Sequence, residues 1–254
     1  RRQRQMCIRD SPYSYFIGDT MKLVTFILGI FFIIDVSALG KIHNAVPIYT
    51  DKPFATIGNI DYLYNESPVG KYLESIYIYQ NIVSGDNPAT HLIVSEYSSY
   101  ENYEKALEAV EFGKDPEAAF IWYATSNELP FKPLANNQDR ILATNNPENW
   151  KNNTYFMAIN LAVSDPAKYL KAWKKMSAET TKFFPDGSSW LSESYGGTSP
   201  FTHNVLISAN SYADLMNGLD KVYKSKSFAE FQKETAGIRK VIARTSAKRI
   251  ASFS

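Results

Sequence analysis

Two histidines in this 254-residue chain stand in the same local setting: Pro88-Ala89-Thr90-His91 recurs as Pro200-Phe201-Thr202-His203, 112 positions further on. Each opens an apolar run that reads as a strand. Histidine is the side chain best suited to act as a general base or to hold haem iron near neutral pH. His91 and His203 are therefore the candidate catalytic residues. The alternative is that each imidazole packs at a sheet edge, bonds a loop carbonyl, and was copied with its unit. No metal site is expected, because His43 is the third and last histidine and no H-x-x-H, H-E-x-x-H or cysteine pair occurs.

Rings supply a second kind of chemistry. Tyr77 and Tyr79 share one face of a strand by their spacing of two, and Trp190 falls opposite Ile78 when the 112 offset is applied. With Tyr62, Tyr64 and Tyr72 close in sequence, these rings could line a cavity for a small apolar or aromatic ligand. Thr90, Thr202 and Glu193 complete the candidate ligand-binding set. The alternative is ordinary packing. Glu96 and Glu193 could each serve as a base if turned inward, but a carboxylate there is costly unless paired, so an outward direction is expected. Gly196-Gly197 has neither a following helix nor Lys-Ser/Thr and reads as a hairpin loop, not a phosphate cradle.

These residues must be positioned by elements that repeat. Besides the Pro-x-Thr-His match, Ser99-Tyr100 recurs as Ser211-Tyr212, Leu107 as Leu219 and Val110 as Val222; Ile141-Leu142-Ala143 resembles Val241-Ile242-Ala243. In the second unit Thr154 to Val163 alternates like a strand. Asp165-Pro166 then caps and opens a helix with one buried stripe through Leu170, Trp173, Thr180 and Phe183. Strands follow at Ser188–Tyr195 and Phe201–Ala209. A helix capped by Ser211, a short helix around Phe228 and Phe231, and a strand at Val241–Thr245 complete a βαββαβ order. The first unit is less regular. Ser75–Val83 and His91–Tyr97 read as strands, Tyr100–Phe112 as a helix, Asp115 to Glu128 as a further helix, and Arg140–Thr144 as the last strand. Val46 to Pro68 holds Pro47, Pro53, Gly58 and Pro68 and no sustained stripe, so loops and short elements are expected there.

The first 38 residues stand apart. Gln5-Met6-Cys7-Ile8-Arg9-Asp10, within residues 4–11, resembles a translated sequencing adapter, so residues 1–20 are expected to be an artefactual or untranslated extension. Met21-Lys22, an apolar run from Leu23 to Ile34, and Val36-Ser37-Ala38 read as a signal peptide over 21–38. The expected address is secreted or periplasmic, with no membrane attachment after cleavage. The expected units are 39–146, a degenerate first copy, and 151–254. The chain is 44% apolar and 21% charged, with net charge +1 and one cysteine. That composition excludes collagen, a disulfide framework and a mainly disordered chain. It also supplies no field for nucleic acid. A monomer or homodimer is expected.

An antiparallel sheet backed by helices on one face only leaves its other face bare, and two such sheets commonly close into a barrel. In element order, in the Ser-Tyr helix starts and in the Gly-rich loop leading to Thr-His, residues 70–250 resemble the dimeric α+β-barrel superfamily. The fold class this implies is α+β, two ferredoxin-like units forming a pseudo-dimeric barrel. The superfamily includes antibiotic-biosynthesis and haem-degrading monooxygenases, chlorite dismutases and EthD-like proteins. The resemblance implies a cofactor-free or haem-using monooxygenase acting in the barrel interior; beside it stand an exported small-ligand binder without a cofactor, its cavity lined by Tyr and Trp, and a structural or partner-binding envelope protein.

Overall fold

The computed structural model describes residues 41–67, 69–110, 129–196 and 200–254. The expected extension, the signal segment and the helix expected from Asp115 lie outside these ranges. Among the described residues no helix is long and apolar enough to cross a membrane.

The elements run in the order β1 (Ile42–Tyr49), α1 (Pro53–Asn65), β2 (Ser75–Val83), β3 (His91–Tyr97), α2 (Tyr100–Val110), β4 (Lys132–Pro133), β5 (Asn137–Asn145), β6 (Tyr155–Val163), α3 (Pro166–Thr180), β7 (Ser188–Gly196), β8 (His203–Ala209), α4 (Tyr212–Tyr223), α5 (Lys226–Glu234) and β9 (Arg239–Phe253). Eight strands close into an antiparallel barrel, in the order β5-β1-β3-β2-β9-β6-β8-β7 and back to β5. The short β4 adds to the end of β1. A closed barrel has no free sheet edge, which removes the commonest route to aggregation of a β-rich chain.

The barrel strands present one face toward the barrel axis and the other outward, where the helices cover part of it. In β6, Phe156 packs with the interior rings, whereas Leu161 and Val163 pack with Tyr169 and Trp173 of α3. In β7, Trp190 joins the interior cluster and Leu191 the helix-side one. Strands buried on both sides read as nearly unbroken apolar runs, as 155–163 does.

The helices of the second half form as their capping residues dictate. The Asp165 carboxylate accepts the Lys168 N–H at 3.0 Å, and Pro166 takes the first helical position, where its missing donor costs nothing. Ser211 accepts the Asp214 N–H at 3.0 Å and Ser225 that of Phe228 at 3.1 Å. Gly218 of α4 lies against the Phe184 ring, which a Cβ would approach to 2.2 Å.

The first half corrects the expected degeneracy. Val46 to Pro68 contains the second half of β1 and the 13-residue α1. Pro53 opens α1 instead of breaking it. The Pro47 carbonyl accepts the Leu134 N–H at 2.9 Å, so its ring nitrogen faces the same edge, beyond the last β1–β5 pair at Ala45. No ladder bond to β3 is lost. Gly58 sits exposed in α1 with open space around it. Gly58→Ala is therefore expected to raise stability by about 0.5–1 kcal/mol, read as a higher urea midpoint with an unchanged slope.

Candidate functional site

The two Thr-His pairs are held alike. The Thr90 N–H bonds the Ile48 carbonyl at 2.9 Å, and the Thr202 N–H bonds that of Leu161 at 2.8 Å. The Thr90 hydroxyl oxygen accepts the Thr50 N–H at 2.9 Å, as the Thr202 oxygen accepts that of Val163 at 3.0 Å. Each histidine Nδ1 lies 2.9 Å from its threonine hydroxyl. Both hydroxyls also reach a carbonyl, Thr50 at 3.2 Å and Leu161 at 3.4 Å. We assign Nδ1 as the donor on that ground, which leaves each Nε2 a bare acceptor. Neither Nε2 has a hydrogen-bond partner. The partner is thus a threonine hydroxyl, not the loop carbonyl expected from sequence. Burial lowers both histidine pKa values, at His203 against the opposing charge of Glu193, so both rings are neutral at pH 7.

The fold does not bring the two histidines together, since β3 and β8 are separated around the barrel by β2, β9 and β6. His91 stands opposite Ile48 and shares the strand face of Ile93, which packs toward α1. His203 is buried against the Tyr169 ring, 6.2 Å between centroids.

The barrel interior gathers the rings expected to face one another. Tyr77, Tyr79 and Trp190 share one cluster with Trp150 and Phe156. Trp190 corresponds in place to Tyr77, not to Ile78: Ile78 pairs with Ile93 as Leu191 pairs with Val205, so the first hairpin is one residue longer. Arg249 plugs this stack, its guanidinium 4.6 Å from the Tyr77 ring and 4.9 Å from that of Phe156. It also donates to the Lys151 and Trp150 carbonyls, at 2.7 Å each. Burial, with the charge of Glu96, pushes the Tyr77 hydroxyl up to about 12, and burial pushes Tyr79 higher still. Neither is a base near neutrality.

Next to this stack lies a cavity of about 360 Å3. His43 lies at a level of the barrel where it faces Glu96 on β3 and Asp139 on β5. Its Nε2 is 3.1 Å from a Glu96 oxygen. The Ser75 hydroxyl donates to the other Glu96 oxygen at 2.6 Å. Burial alone would raise the Glu96 carboxyl. His43, Ser75 and Lys41 together outweigh it and hold the pKa down at about 2. Asp139 goes the other way, raised by burial against the pull of Ser194, His43 and Asn204. The outward direction expected of Glu96 is therefore wrong, because a buried partner offsets its desolvation. Glu193 does face outward, half-exposed and 2.7 Å from Arg140. Sequence reasoning passed over His43 and Asp139; the alternation in His43-Asn44-Ala45 and Asn137-Gln138-Asp139 was the available signal.

A larger cavity, about 710 Å3, lies on the other face of the second-half sheet. Ile159, Leu161, Val205 and Ile207 form its floor; Tyr169 and Trp173 of α3 and Phe228 and Phe231 of α5 form much of its roof. At one edge Arg239 stacks on Phe231, 4.9 Å away, and donates to the Thr235 hydroxyl at 3.0 Å. A cavity of this size and lining suits a flat apolar molecule. It does not suit haem held by histidine or cysteine, since neither lines it. Tyr169 is a poor substitute because burial pushes its hydroxyl well above the ordinary range. Of the two histidines at the smaller cavity, His43 lies 3.1 Å from Glu96 and His91 lies on the strand face shared with Ile48 and Ile93. Among the described residues no cluster of three metal-ligating side chains occurs.

No protein-family model and no curated protein matches the sequence. Several solved structures share the fold. A candidate monooxygenase from Lactobacillus acidophilus is 14% identical, with a TM-score of 0.52 over 83% of this chain and 93% of that one. An anthrone oxidase-like protein is 12% identical, with a TM-score of 0.52 over 84% and 92%. A chlorite dismutase from Candidatus Nitrospira defluvii is 7% identical, with a TM-score of 0.50 over 84% and 92%. At these identities the likeness is one of architecture, an α+β barrel.

Proposed function

We propose that this protein binds a flat, mainly apolar aromatic molecule between the helices and the sheet of its second half, without haem. The observation that carries this reading is the 710 Å3 cavity walled by Tyr169, Trp173, Phe228 and Phe231. Its rings offer stacking faces, and Arg239 offers a cation for a phenolate or carbonyl oxygen at the rim. The barrel would be built from two ferredoxin-like units in one chain. That reading is supported by the equivalent strand orders β5-β1-β3-β2 and β9-β6-β8-β7, joined through β2–β9 and β7–β5. The paired Thr-His geometry supports a tandem repeat. Export remains part of the proposal on the strength of residues 21–38 alone.

A second reading is oxidation of the bound aromatic by O2 with no cofactor. The descriptions of the monooxygenase and anthrone oxidase-like neighbours favour it, as does Arg239, which could stabilise a substrate that ionises by itself. One experiment separates the two. With 1,8-dihydroxyanthrone as the probe, tryptophan emission is expected to quench saturably with a Kd of about 10 µM or tighter, and Trp173→Phe should remove most of the quench. Faster uptake of one O2 per anthrone, giving the anthraquinone and water, marks the oxidase; quenching without it marks a binder. No saturable quench would end both readings.

A further inference from the structure

We infer that the barrel interior is a second, separate binding site, for a one- or two-ring planar aromatic that carries both a carbonyl-type oxygen and an O–H or N–H donor. The 360 Å3 cavity is bordered by polar atoms that are buried and have no hydrogen-bond partner. Two are donors, the indole N–H groups of Trp150 and Trp190; two are acceptors, Asp139 Oδ1 and Asn137 Oδ1. Each of these four residues is more than nine-tenths buried. Buried polar atoms are normally paired, and so many bare ones around one space point to an absent occupant.

The shape selects the occupant. The Trp150 and Trp190 rings stack at 3.6 Å between centroids, 36° apart, and Trp190 meets the His43 ring at 4.9 Å. Ala45, Ala158 and Ala247 line the same space and keep it open where a larger side chain would fill it. Water could satisfy the polar atoms but not the ring faces and alanines between them. A planar ring satisfies both, with its oxygen toward the indole N–H donors and its own donor toward Asp139. The second oxygen of Asp139 is already taken by Asn204 at 2.9 Å, which fixes the carboxylate in place.

The test uses the full chain and 4-hydroxybenzamide as the probe, followed by calorimetric titration. Saturable one-to-one binding is expected in the range of about 10–100 µM. Trp190→Phe, which keeps a ring and loses the N–H, should weaken it about tenfold or more, as should Asp139→Leu. Asp220→Asn, exposed on α4, should leave it unchanged. Thermal melts of each variant separate lost contact from lost fold, and Trp190→Phe stands as the decisive variant if Asp139→Leu fails to fold. Saturating 1,8-dihydroxyanthrone should not compete, so this site and the helix–sheet cavity stand or fall separately. No saturation up to millimolar probe, equal affinity in Trp190→Phe, or only water in the cavity of probe-soaked crystals would overturn the inference.

Discussion

His43→Phe is expected to lower the unfolding free energy by about 3–5 kcal/mol at pH 7, because it leaves the Glu96 carboxylate buried without the imidazole that lies 3.1 Å from it. Both partners are almost wholly buried, with side chains 7% and 4% exposed, so solvent does little to make good the loss. The double variant His43→Phe/Glu96→Leu should cost less than the single one, since removing the carboxylate as well also removes its desolvation penalty. The pH dependence has a definite sign. The folded state holds the Glu96 pKa at about 2, below its ordinary 4.5. Its contribution is whole above the ordinary carboxyl range and is lost as pH falls through that window toward 2, amounting to about 3 kcal/mol. Urea unfolding of the parent should weaken over that interval, and that of Glu96→Gln should change much less. Equal slopes against pH would remove the buried Glu96 carboxylate from the account.

Val205→Phe is expected to reduce 1,8-dihydroxyanthrone binding by about tenfold to a hundredfold while costing no more than about 1–3 kcal/mol of stability. Val205 belongs to the floor of the helix–sheet cavity, so the added ring takes space that the ligand would use. Emission quenching in the variant checks the first part and a thermal melt the second. Unchanged affinity would mean that the probe binds elsewhere.

Much of the fold was legible because its signals are local. Strands β2 and β3 have the bounds that alternation and turn residues predict, and Asp165 and Ser211 cap helices as their types require. Three things were not legible. The prolines of 46–68 read as breakers because nothing in the sequence shows that Pro47 faces a sheet edge or that Pro53 falls at a helix start. Strand β9 is longer than the apolar core Val241–Thr245, since it pairs with both β6 and β2 in different registers while Arg244 and Lys248 point to solvent. The one-residue difference between the hairpins displaced the equivalence of Trp190, a register slip that changes the face a residue is assigned to.

The site was legible only in part, for the same physical reason. Tyr77, Tyr79 and Trp190 lie together as their spacing implies. The direction of Glu96 depends on His43, 53 positions away and across a strand pair, and burial of a charge cannot be read without its partner. The larger cavity is built from Trp173, Phe228 and Phe231, whose helical spacing is the same whether a stripe packs against its neighbour or stands off from it.

A crystal structure of the protein grown with 1,8-dihydroxyanthrone tests the central claim most directly. Density for the probe is expected between α3, α5 and the sheet floor at Val205, with an oxygen directed to Arg239. Helices packed down onto the sheet with no space beneath them, or probe bound only outside that cavity, would contradict it.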